Sequence, residues 1–171
     1  MQISARHIFL LKNYGVVVVG SIVILLLLLS YAMDRAHERA LCTRGTHLLF
    51  LRDPLVVNML ETPEERTRGL SGREVLPPDE GLVFAFGSAG SRNFWMKDMH
   101  FPIDVVFFDA EWRVIGSFAD MRPESYPHTY GSPEGTYYAL EAVSGFIERE
   151  EIANGVPLRI EDCAAIVRPH S

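Results

Sequence analysis

The residue types best suited to chemistry lie together in residues 94–104, whose sequence is FWMKDMHFPID. This segment contains Lys97, the only lysine after the N-terminal apolar segment, where thirteen arginines supply the other positive charges. A lysine ammonium is a compact point charge, whereas a guanidinium is a planar fork that requires planar partners. The pattern predicts a binding site around Lys97, Asp98 and Asp104, in which the ammonium would bind an anion.

Two further interpretations of this segment stay open. Successive side chains of a strand point to opposite faces, so Trp95 would share a face with Lys97 and form the wall of a pocket. The alternative is a buried pair of Lys97 with an aspartate that only sets strand register, because structural ion pairs also produce such clusters. Asp98, His100 and Asp104 could bind a metal, but their spacing matches no standard site. We therefore expect neither a metal nor a cofactor.

The carboxylates also allow a catalytic interpretation. Asp98 with Asp104 or Glu141 could form the two-carboxylate pair of a glycosidase. Glu141 lies in an apolar stretch, where burial would raise its pKa; alternatively it accepts hydrogen bonds from an arginine or from loop amides. Residues 69–72 (GLSG) do not form a G-x-S-x-G nucleophile motif. Catalysis therefore stays open, and a protein that is not an enzyme is favoured.

A second polar segment follows later in the chain. Residues 122–135 contain three prolines, two glycines and two tyrosines, which predicts an irregular and functional loop. Its arginine, hydroxyls and rings could bind a sugar or a peptide, or the tyrosines could simply hold the loop. The predicted ligand-binding residues are Arg92, Trp95, Lys97, Asp98, Asp104, Arg122, Tyr126 and Glu141.

The N-terminal segment predicts a membrane anchor or a signal peptide. No charged residue occurs from Asn13 to Met33. As a helix, residues 15–33 would be about 28 Å long, close to the thickness of a bilayer core. An uncleaved anchor is favoured, with cleavage near Ala32 as the alternative. The predicted organisation is a tail (1–14), an anchor or signal peptide (15–33), a charged juxtamembrane linker or helical stalk (34–46) and a folded domain (47–171).

Basic residues flank the apolar segment almost evenly, with Arg6 and Lys12 before it and Arg35, Arg39 and Arg44 after it. The positive-inside rule therefore decides little. A short tail before a folded domain usually leaves the domain outside. We expect a single-pass protein of the inner (cytoplasmic) membrane with a periplasmic or extracellular domain, or a secreted protein if the signal is cleaved.

The cysteines and the charge balance indicate which cellular compartment and which partners to expect. Cys42 and Cys163 could form one disulfide that joins the two ends of the domain in an oxidising compartment, or they could be two separate buried thiols. After Met33 the chain has 14 basic and 22 acidic residues, a balance of −8. Without a basic stripe, nucleic acid is not an expected partner. The expected partners are the membrane and an unknown small ligand or envelope protein.

The pattern of the folded part predicts a mainly β (α+β) fold. About eight or nine short strands are joined by turn residues, and no strand–helix alternation is visible. Thr62-Pro63-Glu64-Glu65 predicts a helix start with a capping box, and Ser144 predicts the cap of a second short helix that ends near residue 154. Residues 109–112 predict a hairpin tip. The natural packing is a single β-sandwich or partly closed barrel with two short helices.

Several ordered blocks resemble the DUF192 family, also called UPF0127, over roughly residues 48–167. The matching blocks are TPEERTRGL (62–70), LPPDEG (76–81), FWMKD (94–98), PIDVVF (102–107) and YALE (138–141). Where the family typically has Asn-Thr after its lysine, this chain has Asp98-Met99. The resemblance implies a compact, mostly β domain that is often exported, and it implies no established reaction.

Three functional hypotheses follow. The first is a membrane-tethered extracytoplasmic β-domain that binds a small ligand or a protein partner. The second is a hydrolase of cell-envelope glycans that uses Asp98, Asp104 or Glu141. The third is a structural or assembly component of an envelope complex. If the carboxylates point to separate regions, the second hypothesis loses its basis.

Overall fold

The computed structural model describes residues 5–42, 47–50, 52 and 54–163. The chain divides after Arg39 into two compact units, an N-terminal helix and a β-rich domain. Mainly β structure is therefore confirmed, with nine strands among the described residues.

The N-terminal unit is one continuous helix, α1 (Ala5–Leu41). Its stretch Val18–Leu41 is long and apolar enough to cross a membrane, by length and composition. Thirty-seven residues in one helix include the whole predicted span and the first part of the predicted linker. Residues 43–46 of that linker lie outside the described residues.

Seven strands form the main sheet in the order β6-β5-β8-β3-β2-β1-β9, and β4 and β7 form a separate two-stranded sheet. The strands are β1 (His47–Phe50), β2 (Leu55–Leu60), β3 (Glu80–Ala85), β4 (Asn93–Trp95), β5 (Ile103–Phe108), β6 (Val114–Met121), β7 (Thr129–Gly131), β8 (Tyr138–Val143) and β9 (Arg159–Asp162). The helices of this domain are α2 (Pro63–Arg68) and α3 (Phe146–Arg149), with a 3₁₀ turn at Pro123–Ser125.

The main sheet does not close into a barrel among the described residues, because β6 and β9 remain at its two edges. Closure into a barrel is thus not found among these residues, and the domain contains one large mixed sheet and one small two-stranded sheet. Apolar side chains pack on both of its faces, so all six residues of β5 are buried. Alternation along a strand cannot distinguish one sheet covered on two faces from two sheets that share a core.

One strand pair is parallel, which the sequence did not lead us to expect. β2 and β3 pair in parallel, with Val56 opposite Glu80 and Leu60 opposite Phe84. Parallel neighbours require the connecting chain to cross one face of the sheet. Residues 61–79, which include α2, make this crossover.

The predicted start of α2 is confirmed in detail. Thr62 is the N-cap, its hydroxyl accepts a hydrogen bond from the Glu65 N–H, and the Glu65 carboxylate accepts from the Thr62 N–H at 3.0 Å. Pro63 occupies the first turn, and Gly69 ends the helix with a φ of 50°. Local chemistry at both ends therefore sets this six-residue helix without help from a buried face.

Two other local predictions need correction, and a third, a strand at the end of the chain, is not tested. α3 is capped by Gly145 rather than Ser144, whose hydroxyl instead lies 3.1 Å from the Asp120 carboxylate. Residues 122–135 are not wholly irregular, because they contain the 3₁₀ turn and β7. The predicted final strand, residues 164–168, lies outside the described residues.

The two ends of the domain meet at one edge of the main sheet. β9 pairs antiparallel with β1, and the structure joins Cys42 to Cys163 in a disulfide with a Cα–Cα distance of 5.1 Å. Both cysteines are buried beside Leu48 and Val56. The crosslink thus connects residues far apart in the chain, with a separation of 121.

Replacing both Cys42 and Cys163 by alanine should lower the free energy of unfolding by about 4–5 kcal/mol, because the crosslink restricts the unfolded chain over a long loop. Urea unfolding of the full-length protein in detergent measures the difference. Reductant should destabilise the wild type and leave the double variant unchanged. A loss below about 1 kcal/mol would show that the crosslink contributes little.

Candidate functional site

A cavity of about 390 Å³ lies between α2, the segment that follows it, and one face of the main sheet. Strand β4 and the residues beside it form its other wall. The lining residues are Pro63, Arg66, Thr67, Arg68, Gly69, Leu70, Ser71, Phe84, Phe86, Arg92, Asn93, Phe94, Trp95, Met99 and Glu141.

Sheet register determines which acid reaches this cavity. Glu141 on β8 is opposite Leu82 on β3 and Val105 on β5, so the three side chains share one face. Asp104 precedes Val105 and is opposite Ala142, so it points to the other face. The register therefore separates Glu141 from Asp104 by the thickness of the sheet.

Glu141 carries a buried carboxyl group at the inner end of the cavity. Only 7% of the residue is exposed, and its Oε2 has no hydrogen-bond partner among the described residues. Burial raises the pKa of this carboxyl group to about 8, and a hydrogen bond from the Leu70 backbone N–H opposes the rise. Glu141 is therefore largely protonated at neutral pH, when it can both donate and accept a hydrogen bond.

Gly69 allows the chain to pass close to this carboxyl group. A Cβ at position 69 would lie 3.2 Å from Phe84 Cζ and 3.3 Å from Glu141 Oε2. Its φ of 50° is in the left-handed region that glycine tolerates best. Gly69, which ends α2, thus also allows the backbone there to lie close to Phe84 and Glu141.

Aromatic rings form the apolar wall. Phe84 and Phe94 meet edge to face with centroids 5.5 Å apart, and Phe86 lies 6.3 Å from Phe84 and 6.5 Å from Phe94. Trp95 is 43% exposed, so it contributes to the wall and remains open to solvent. Such a wall suits a ligand with a flat or apolar body.

Two guanidinium groups lie on Phe86. The Cζ atoms of Arg66 and Arg92 are 5.7 Å and 4.9 Å from the ring centroid. Arg66 donates to the Ala85 carbonyl at 2.9 Å, and Arg92 donates to the carbonyls of Ser88 and Ser91 at 3.0 Å and 3.1 Å. These contacts hold both cations in place with part of their donor capacity unused.

The predicted residues divide into two groups. Arg92 and Trp95 line the cavity together with Glu141, which is more than forty residues later in the sequence. Lys97, Asp98, Asp104, Arg122 and Tyr126 do not line it.

Lys97 and Asp98 form the exposed tip of a turn. The Met99 N–H donates to the Met96 carbonyl, and Asp98 has a φ of 56°. In the described part of the chain, Lys97 forms no side-chain hydrogen bond or ion pair, so the predicted pair with an aspartate is not formed there. Asp and Asn are the non-glycine residues that best tolerate this backbone conformation, which gives residue 98 a structural role.

Asp104 is 1% exposed and holds two segments against the sheet. Its Oδ1 accepts from the Asp120 N–H and its Oδ2 from the Ile147 N–H, each at 2.9 Å. Both oxygens are thus used by backbone donors. The two-carboxylate pair of the hydrolase hypothesis is not assembled, because Asp104 faces away from Glu141 and Asp98 lies outside the cavity lining.

The remaining predicted residues lie on the exposed surface. Arg122 pairs with Asp120 at 2.6 Å, and Tyr126 is 49% exposed. His100 is exposed, and no cluster of three potential metal ligands occurs among the residues that the structure describes.

Sequence analysis missed several residues that line the cavity. They include Phe84, Phe86, Arg66, Arg68 and Leu70. The sequence offers one indirect signal for these residues. A short helix with two arginines ends at Gly69, and a strand with the sequence Phe-Ala-Phe follows it. That signal identifies a cavity only when the parallel pairing of β2 with β3 is known.

The fold and cavity together define a β-rich domain with a ligand-sized pocket under a crossover helix. The chain belongs to the DUF192 family, described as "Uncharacterized ACR", whose model matches residues 51–160. No curated protein sequence matches the chain significantly.

Two crystal structures share the fold. A protein from Sinorhizobium meliloti 1021, named as a candidate transcription regulator, is 27% identical with a TM-score of 0.61, covering 68% of this chain and 91% of its own. A protein of unknown function from Novosphingobium aromaticivorans DSM 12444 is 23% identical with a TM-score of 0.60, covering 68% of this chain and 83% of its own.

Glu141→Gln should make stability less dependent on pH. The folded protein keeps the Glu141 proton up to about pH 8, whereas the unfolded chain releases it near 4.5. The free energy of unfolding of the wild type therefore falls as pH rises between these values. Glutamine cannot ionise, so the variant should match the wild type near pH 4.5 and exceed it by up to about 4–5 kcal/mol near pH 9.

Urea unfolding across this pH range measures the effect, and Glu134→Gln, at an exposed position, is the matched control. Parallel pH profiles for wild type and Glu141→Gln would contradict a buried, protonated carboxyl group.

Proposed function

We propose that the domain is a binding module that holds a small organic ligand in the cavity between α2 and the main sheet. The observation that carries the proposal is Glu141 Oε2, a buried carboxyl oxygen on the cavity wall with no partner among the described residues. Burying a polar group without a partner costs stability, and such groups are rare in folded proteins. A ligand that hydrogen-bonds to this oxygen would remove that cost in the bound state.

The size and lining of the cavity support this proposal. Small-molecule sites are typically pockets of roughly 300–1,000 Å³ with apolar and aromatic walls and a few polar groups that orient the ligand. The cavity has a volume of about 390 Å³, phenylalanine walls, and a lining that includes one carboxyl group and three arginines. It therefore combines shape, apolar area and directional polar contacts.

The way in which α2 is held on the domain also favours ligand binding. A crossover helix usually buries one face on its sheet, but none of the six residues of α2 is buried. Leu70 and Leu76, which follow the helix, are buried in the core instead. The helix is thus held by its capped ends and by Arg66, and the space beneath it is not filled by its own side chains.

A hydrolase is not proposed, because Glu141 is the only acid among the described residues that line the cavity. The description of the Sinorhizobium protein as a candidate transcription regulator is not transferred to this chain. A balance of −8 after Met33 does not favour contact with phosphates of a nucleic acid.

Thr67→Trp should abolish ligand binding and leave the fold intact. Thr67 is exposed and lines the cavity, so a larger side chain there would fill the cavity without entering the core. The full-length protein in detergent is screened by thermal shift with a library of one-ring and two-ring organic acids, amides and amines. Wild-type hits should lose at least about tenfold in affinity in Thr67→Trp.

Glu64→Trp is the matched control, because Glu64 is exposed on the same helix and does not line the cavity. Failure of every compound to shift the wild type, or equal binding by Thr67→Trp, would overturn the proposed binding site.

We further propose that α1 is an uncleaved anchor of the inner membrane and that the domain faces the periplasm or the exterior. Support comes from the stretch Val18–Leu41, which is long and apolar enough to cross a membrane. The disulfide between Cys42 and Cys163 also suits an oxidising compartment.

The native protein should therefore remain in the membrane after alkaline carbonate extraction, and its intact mass should include residues 1–32. Protease added to intact spheroplasts, whose outer membrane has been opened, should digest the domain. An intact mass that matches the chain without residues 1–32 would show that the N-terminal segment is a cleaved signal peptide. A domain that resists the protease would show that it faces the cytoplasm.

A further inference from the structure

We infer that the cavity selects small organic oxyanions, with a ring or other apolar body against the phenylalanine wall. The acid group would lie at the guanidinium groups of Arg66, Arg68 and Arg92, the partly or fully exposed lining residues that we call the mouth. This inference rests on the proposed binding function and specifies the ligand class of the same site. It depends on three features of the described residues: the charge of the mouth, the immobilisation of its cations, and the character of the inner end.

The charge at the mouth is opposite to that of the domain. After Met33 acidic residues exceed basic ones by 22 to 14, but the cavity lining contains three arginines and one acid. The three arginines are Arg66 and Arg68 on α2 and Arg92 before β4. The nearby Glu65 carboxylate is bound to the N–H groups of Glu61 and Thr62, at 3.1 Å and 3.0 Å, and is not among the lining residues. Positive charge is thus concentrated in the lining of the cavity.

Two of these cations are positioned in advance. Arg66 and Arg92 lie on the Phe86 ring and donate to backbone carbonyls, so little side-chain freedom remains to be lost on binding. The side chain of Arg68 is exposed and forms no hydrogen bond or ion pair among the residues described. Its planar fork is available for a carboxylate or a phosphate, which it can bind with two parallel hydrogen bonds.

The inner end of the cavity distinguishes an anion from a cation as the ligand. The described residues place no guanidinium in an ion pair with Glu141, and only the Leu70 N–H donates to its carboxyl group. A protonated Glu141 does not repel an oxyanion and can donate to an oxygen on the body of the ligand. An ammonium group would gain no charge attraction from a protonated Glu141 and would lie in a lining with three guanidinium groups.

A series of related phenols that differ in their charged group tests the ligand class. Isothermal titration of the full-length protein in detergent near pH 6.5 compares 3-(4-hydroxyphenyl)propionate with its amide, with tyramine, and with 4-hydroxyphenyl phosphate. The acid should bind at least about tenfold tighter than the amide, and tyramine should bind most weakly. The relative affinities of the carboxylate and phosphate compounds indicate which oxyanion the mouth prefers.

Two variants locate the selectivity within the cavity. Arg68→Gln should reduce the preference for the acid over the amide by about fivefold or more, whereas Arg113→Gln, at an exposed position outside the lining, should leave it unchanged. Affinity of the wild type for the acid should fall as pH rises above about 8, where Glu141 ionises. Glu141→Gln should remove that fall, because glutamine keeps a donor and cannot ionise.

The failures of the two proposals are distinguishable. If tyramine binds tighter than the acid, or if acid and amide bind equally in both wild type and Arg68→Gln, the oxyanion class is overturned while the binding function stands. If library compounds bind and Thr67→Trp removes them, but no member of this series binds, the oxyanion class is again overturned. If nothing binds the wild type, the binding function itself fails.

Discussion

The parallel pairing of β2 with β3 is the constraint from which the candidate site follows. Two adjacent parallel strands force the chain between them across one face of the sheet, and register places Glu141 on the cavity side of β8. The crossing segment contains only a six-residue polar helix, which is set by its own caps and buries none of its residues. Leu70 and Leu76 fill the core beyond the helix, and the gap beneath it becomes the cavity.

Within this frame, the two buried acids of neighbouring strands have opposite roles. Asp104 has both oxygens bonded to backbone N–H groups, so its burial helps to position the chain near Asp120 and Ile147. Glu141 receives one backbone hydrogen bond and leaves Oε2 without a described partner. A buried carboxyl group of the second kind weakens the fold above its unfolded-state pKa. Its retention in a cavity wall is easier to explain by binding than by stability.

Much of the local structure could be predicted from the sequence. The capping box at Thr62 depends on residues three apart, and the apolar runs of β2, β5 and β8 depend on near-neighbour patterns, so both are visible in the chain. A strand at residues 93–97 was predicted and β4 occupies its first part, but the pairing of β4 with β7 was not predicted, because β7 has only three residues in a proline-rich segment and leaves no periodic signal. Of the predicted site, Arg92, Trp95 and Glu141 lie together, whereas Lys97 lies on an exposed turn.

The sequence by itself determined the family, the mainly β character, the apolar N-terminal helix and the cap of α2, because each depends on composition or on contacts within a few residues. Only the tertiary structure decided that the sheet stays open, that β2 and β3 run in parallel, and that the arginines of α2 line the same cavity as Glu141. Those features depend on strand pairing between distant segments. A shift of one residue in register would move Glu141 to the opposite face without any change in local pattern.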